Sequence, residues 1–118
     1  MTGGQMAPTT MLNQITATTP KGRNAAEEGY PLCVSELLAV LPGVSYIERC
    51  ALSTPPNIRK AKKDLTHAFE QQIDNAPGLS LVELLSTCPT YWRMSPANAT
   101  KWIDNEMTKV FPLGRLKG

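Results

Sequence analysis

The sequence predicts an α/β protein, part of a doubly wound parallel sheet with the order helix, strand, helix, strand, helix. Two segments have strand length and strand composition, VSYIERCAL (44–52) and LSLVELLST (79–87). Around and between them run three stretches whose apolar residues recur at helical spacing, each beginning at a proline in a first-turn position. Strands that alternate with helices imply two parallel strands joined by a right-handed crossover.

Taken in order, residues 1–30 carry Gly3, Gly4, Gly22 and Gly29, many threonines, and prolines at 8 and 20. They predict a Gly/Thr-rich segment with one or two helical turns near 5–14, then an irregular loop over 16–29, the whole poorly ordered for want of apolar surface. The second region, 31–118, holds the regular structure. Val34, Leu37, Leu38 and Leu41 mark a short amphipathic helix that Pro42-Gly43 ends. Ser53 or Thr54 caps a longer helix through Pro55-Pro56, with Ile58, Ala61, Leu65, Ala68 and Phe69 as its apolar stripe. LSLVELLST is apolar nearly throughout, the pattern of a parallel strand covered on both faces. Ser95-Pro96 starts a last helix whose inner face is Ala99, Trp102, Ile103, Met107 and Val110, while the tail PLGRLKG has no clear period.

Two parallel strands leave two open edges and cannot cover both faces of LSLVELLST. Further strands must come from polypeptide upstream of Met1 or from a second copy, so the isolated chain is expected to be a homodimer.

Composition narrows the function. The 118 residues are 42% hydrophobic and 19% charged, enough for one core. No long apolar run or secretion signal is present, which predicts a cytoplasmic protein with no membrane span. A net charge of +2 argues against nucleic acid. Cys33, Cys50 and Cys88 are odd in number and widely spaced, and read as free, mostly buried thiols with no metal or iron–sulfur site in this chain. His67 lacks companions at ligand spacing. Arg59, Lys60, Lys62 and Lys63 read as a solvated helix face, with steering of an acidic partner the lesser reading. Cys88-Pro89-Thr90 follows the C-terminal end of the second strand, where open sheets place ligands, although a buried thiol and a proline turn is the favoured reading. Tyr91 and Trp92 read as packing or interface anchors.

Met1-Thr2-Gly3-Gly4-Gln5 sets two glycines where backbone N–H groups approach a phosphate or cofactor. The same five residues occur in a common epitope tag, but MAPTTMLNQITATTPKGR does not continue as that tag does. Instead MTGGQMAPTT, Thr19-Pro20 and Gly22-Arg23 resemble the segment just past the thiamine diphosphate motif in the beta subunit of 2-oxoacid:ferredoxin oxidoreductases. GYPLCVSELLAVLPGVSYIERCAL, NIRKAKKDL, LVELLSTCPTYWRMSPANATKWI and VFPLG are similar to further stretches of that subunit in the same order, with the 2-oxoisovalerate and 2-oxoglutarate branches nearest.

The resemblance implies a piece of a thiamine diphosphate-binding fold, from an enzyme that decarboxylates a 2-oxoacid, reduces ferredoxin through iron–sulfur clusters elsewhere in the complex, and forms an acyl-coenzyme A. It implies that Thr2, Gly3, Gly4 and Gln5 line the cofactor side of the pocket. The Gly-Asp-Gly motif and asparagine that bind magnesium in the family would lie upstream of Met1, so no catalytic or metal-binding residue is assigned here. Its partners would be the other subunits of the complex, and the chain alone would be inactive. The alternative is a non-catalytic α/β interaction module that self-associates.

Overall fold

The computed structural model describes residues 6–74 and 77–118. Along the chain come α1 (Ala25–Glu28), α2 (Val34–Ala39), β1 (Val44–Ala51), α3 (Pro55–Ile73), β2 (Leu79–Leu85), α4 (Pro89–Trp92), α5 (Pro96–Trp102), α6 (Thr108–Val110) and β3 (Gly114–Lys117). A π-helical turn over Ile103–Met107 joins α5 to α6, so the last helix is widened rather than continuous.

The expected α/β order holds, with β1 and β2 parallel across seven paired positions from Val44↔Leu79 to Ala51↔Leu85. The sheet nevertheless has three strands in the order β2-β1-β3, and β3 runs antiparallel to β1, so it is open and mixed instead of wholly parallel. The strand sits in the tail that showed no period. β1 is thereby the central strand and is buried at seven of its eight positions. β2 lies at the edge, buried only at Leu85, which corrects the expectation of a strand covered on both faces.

Local chemistry explains the boundaries. The Thr54 hydroxyl accepts the Asn57 N–H and two prolines occupy the first turn of α3, while Ser95 caps α5 in the same way before Pro96. Gly78 turns into β2 at φ +112°, and a Cβ there would stand 2.8 Å from the carbonyl oxygen of Gly43, so only glycine lets the two strand entrances lie side by side.

α3 covers the face of β1 and β2 that carries Tyr46, Glu48 and Cys50. The other face, with Ile47, Arg49 and Ala51, meets α2 and a core of Met11, Ala51, Leu85, Ile103 and Phe111. Two stripes differ from expectation. In α2 the buried residue is Ser35, while Val34 and Leu37 are exposed. In α3 the buried residues are Ala61 and Asp64, while Ile58 and Phe69 are exposed.

Within residues 6–30 the short helix expected near 5–14 is absent among the described residues; α1 is the helix this stretch forms. The chain there is pinned by Arg23, whose Nε donates to the Gly29 carbonyl at 2.9 Å, Nη1 to Pro8 and Thr10 at 2.9 and 2.6 Å, and Nη2 to Glu28 and Tyr30 at 3.2 and 2.8 Å. Thr16 and Thr19, both buried, exchange a 2.8 Å hydroxyl contact, and Thr19 donates to the Gln14 carbonyl at 2.8 Å. These polar residues organise the segment together with Met11, which anchors it to the main core. Among the described residues no helix is long and apolar enough to cross a membrane.

Candidate functional site

A cavity of about 290 Å³ opens at the C-terminal end of β2, between that strand and the N-terminal segment. Leu84, Leu85 and Ser86 form one wall, Thr9, Thr10 and Gln14 another, and Tyr91, Trp92 and Phe111 close it. This is the position at which open α/β sheets place ligands. Cys88 lines it too, so the Cys88-Pro89-Thr90 loop borders the cavity and its thiol is half-buried, which corrects the reading of a buried thiol. Tyr91 ties the wall to the N-terminal loop: its hydroxyl contacts that of Thr18, and its carbonyl accepts the Ala17 N–H at 2.9 Å.

Beneath the cavity is a charge network centred on the buried Arg49. Arg49 Nη1 and Nη2 donate to the two carboxylate oxygens of Glu36 at 2.7 and 2.6 Å, and Nε donates to Glu83 at 2.8 Å. The guanidinium also donates to the Pro112 carbonyl at 3.2 Å and lies 5.5 Å from the centre of the Phe111 ring. Ser35 donates its hydroxyl to the same Glu83 oxygen, which is why a serine faces inward on α2. Hydrogen bonds from Arg49 hold Glu36 below its ordinary pKa. Burial works against the charge on Arg49, but its bonds to Glu36 and Glu83 outweigh this and keep its pKa above the usual value. Glu83 alone of these three lines the cavity, and its carboxylate is already engaged.

A second network lies on the α3 face. Lys60 bridges Glu48 and Asp64, the latter at 2.7 Å, Cys50 donates its thiol to Asp64 at 3.0 Å, and Arg115 reaches Glu48 at 3.3 Å. One ligand atom from each of Glu48, Cys50 and Asp64 falls within 4.8 Å of the others, a spacing that suits a metal ion. The chemistry does not, because Lys60 and Arg115 already neutralise both carboxylates. Burial first, and then Asp64, push the Cys50 thiol up to about 12, so it stays protonated and a poor ligand or nucleophile. His67 stacks edge-on against Tyr46 at 4.9 Å between ring centres.

A thiol reagent at about pH 8 should therefore modify half-exposed Cys33 and Cys88 and spare Cys50 until the chain unfolds. Mass spectrometry of the labelled sites checks this, and Cys50 reacting as fast as the others would contradict it. Only one of the three thiols is buried, not most of them.

Thr2, Gly3, Gly4 and Gln5 lie outside the described residues; Ala7, two positions on from Gln5, lines the cavity. Arg59, Lys60, Lys62 and Lys63 are all exposed, as a solvated face requires, and Lys60 in addition pairs with two carboxylates. The buried Arg49 network was missed. Its signal was Glu48-Arg49 and Glu83 standing inside otherwise apolar strand segments.

The ketoisovalerate oxidoreductase subunit VorA of Methanothermobacter marburgensis is 45% identical over 113 residues, covering 96% of this chain and 23% of VorA. The 2-oxoglutarate synthase subunit KorB of Archaeoglobus fulgidus is 37% identical over 109 residues, covering 92% of this chain and 36% of KorB. Nearly the whole chain is homologous to a segment of these oxidoreductase subunits. KorB of Methanocaldococcus jannaschii matches at 31% over 93 residues. The chain thus spans about a quarter to a third of the length of these curated relatives. No family model matches the chain, and neither does any solved structure.

Proposed function

We propose that the chain is a C-terminal part of the thiamine diphosphate-binding beta subunit of a 2-oxoacid:ferredoxin oxidoreductase. The reaction would be the oxidative decarboxylation of a 2-oxoacid, such as 2-oxoisovalerate or 2-oxoglutarate, to an acyl-coenzyme A with reduction of ferredoxin. The observation that carries this reading is the 45% identity sustained over 113 residues of a ketoisovalerate oxidoreductase subunit. Its partners would be the remaining polypeptides of the complex, in the cytoplasm.

Within such an enzyme these residues supply a wall. Among the described residues the cavity lining holds no lysine or arginine to meet a diphosphate, and Glu83, the carboxylate that reaches it, is held by Arg49 and Ser35. The described residues therefore do not form a magnesium–diphosphate site. What they offer is an apolar surface of Leu84, Leu85, Trp92 and Phe111, with hydroxyls at Thr9, Thr10 and Ser86, suited to holding the uncharged part of a ligand and keeping water from it. Thr2, Gly3, Gly4 and Gln5 would continue this wall on the cofactor side.

Calorimetry of the 118-residue chain with thiamine diphosphate and magnesium should accordingly give no heat of binding, and micromolar magnesium-dependent binding would sink the wall-only role. For the reading as a whole, the matched segment of the marburgensis VorA subunit is exchanged for this chain in the assembled oxidoreductase. Reduction of a low-potential dye that depends on ketoisovalerate or 2-oxoglutarate should persist. A chimaera that assembles but is inactive with both acids would overturn the assignment.

A second reading, a non-catalytic module that self-associates, is favoured by one observation: Phe69 and Ile73 of α3 are 67% and 74% exposed.

A further inference from the structure

The π-helical turn between α5 and α6 resolves a conflict of register. Ala99 and Ile103 before it and Phe111 after it are buried, and Trp102 and Met107 pack against the same core. At about 100° per residue, an unbroken α-helix would spread these five side chains over about 180°, from Trp102 on one side of Ile103 to Phe111 on the other. It would also set Val110 about 20° from Ile103, in the middle of the inner face. Val110 is instead 40% exposed, although the sequence pattern places it inward.

One residue taken out of the count removes the conflict. If the wide turn absorbs it, Trp102, Met107, Ala99, Phe111 and Ile103 fall within an arc of about 100°, the width of stripe that a helix lays on a core. Val110 then lies just outside that arc, as its exposure requires. Local chemistry holds the turn wide. The Thr108 N–H, which an α-helix would aim at Asp104, donates to Ile103 five residues back. The Asp104 carbonyl accepts the Thr108 hydroxyl in its place, at 2.8 Å. The Asp104 carboxylate accepts the Ser53 hydroxyl at 2.6 Å, and Ser53 accepts the Asn57 amide at 3.0 Å, which ties the turn to the start of α3. By Phe111 the four-residue ladder has returned, its N–H donating to Met107 at 2.8 Å.

We propose that this turn is a one-residue register device that sets the wall of the cavity, with Thr108 as its latch. Met107 and Phe111 both line the cavity, and they face it because the turn rotates everything after it by one residue. The same rotation brings the Phe111 ring to 5.5 Å from the Arg49 guanidinium. Thr108 and Asp104 do not line the cavity, so they are positioning residues, acting through Met107 and Phe111. The inference rests on helix geometry within the core and is independent of the oxidoreductase reading.

The test reads stability by urea denaturation of the 118-residue chain. Deleting Asn105, an exposed residue of the turn, should leave a continuous α-helix with the same buried arc, so the urea midpoint does not fall. Inserting an alanine beside Asn105 adds a residue the turn has no room to absorb and rotates Phe111 by about 100°, so the midpoint should drop or folding be lost. Thr108→Val separates a latch from an ordinary helix contact. It should lower the midpoint of the parent and leave that of the Asn105-deleted chain unchanged, because no wide turn remains to be held. In the folded state Thr108→Val should also speed modification of Cys88, which lines the cavity, in the parent alone. A deletion as damaging as the insertion, an insertion without effect, or a Thr108→Val loss equal in both backgrounds would each overturn the proposal.

Discussion

Replacing Arg49 with leucine should lower the stability of the fold by about 3 kcal/mol, because two carboxylates then keep their charge without their partner. The low end of the 3–5 kcal/mol range applies, since the Glu36 side chain is 41% exposed and water takes over part of the lost interaction. Removing all three groups together, Arg49→Leu with Glu36→Leu and Glu83→Leu, should recover most of that loss by leaving no orphaned charge. Urea denaturation followed by tryptophan fluorescence reads both. An Arg49→Leu chain as stable as the parent, or a triple variant worse than the single, would show that the network does not hold α2 and β2 to the sheet. The pH profile carries the same information. Glu36 titrates below its ordinary 4.5 when folded, so its contribution is present above about 4.5 and is lost as pH falls through the depressed value. In the Arg49→Leu chain that part of the acid limb should vanish.

The second large effect is expected at Arg23. All five of its N–H donors are used by main-chain carbonyls of two separate stretches, 8–10 and 28–30, and no carboxylate assists. Arg23→Ala leaves the buried Thr10 carbonyl without its donor, and lysine has too few donors and the wrong geometry to replace the fork. Both variants should cost at least about 2 kcal/mol in the stability of this segment. Amide exchange within residues 8–32 should speed up by about 30-fold or more, with β1 unchanged. Uniform loss of protection across the whole chain would mean that the segment is part of the global fold, and unchanged rates would mean that Arg23 ties nothing down.

Much of the architecture was legible. Strand-length apolar runs, paired caps and first-turn prolines located β1, β2, α3 and α5, because each rests on local chemistry. The misses are non-local. β3 is four residues long and exists because β1 has an edge to offer it, which no pattern within GRLK reveals. Ser35 is buried because Glu83, 48 positions away, accepts a hydrogen bond from its hydroxyl, so the inward face of α2 is chosen by a hydrogen bond rather than by hydrophobicity. In α3 the demand of Glu48 for Lys60 rotates the helix and lifts Ile58 and Phe69 out of the core. The cavity was half legible: the C-terminal end of the second strand is where open sheets place ligands, but a buried thiol and a proline turn was the favoured reading there, and nothing signalled that Thr9, Thr10 and Gln14 fold back to wall it.

β3 also gives the sheet a direction of growth. It closes one side of β1 with a strand of four residues whose Arg115 and Lys117 side chains are engaged with Glu48 and the Leu41 carbonyl, leaving a short, basic border. Among the described residues, the longer edge left for a new strand is that of β2. A strand joining at β2 leaves the β3 border as it is, so the sheet cannot propagate from that side. The last four-residue strand works as a stop signal written at the far end of the chain.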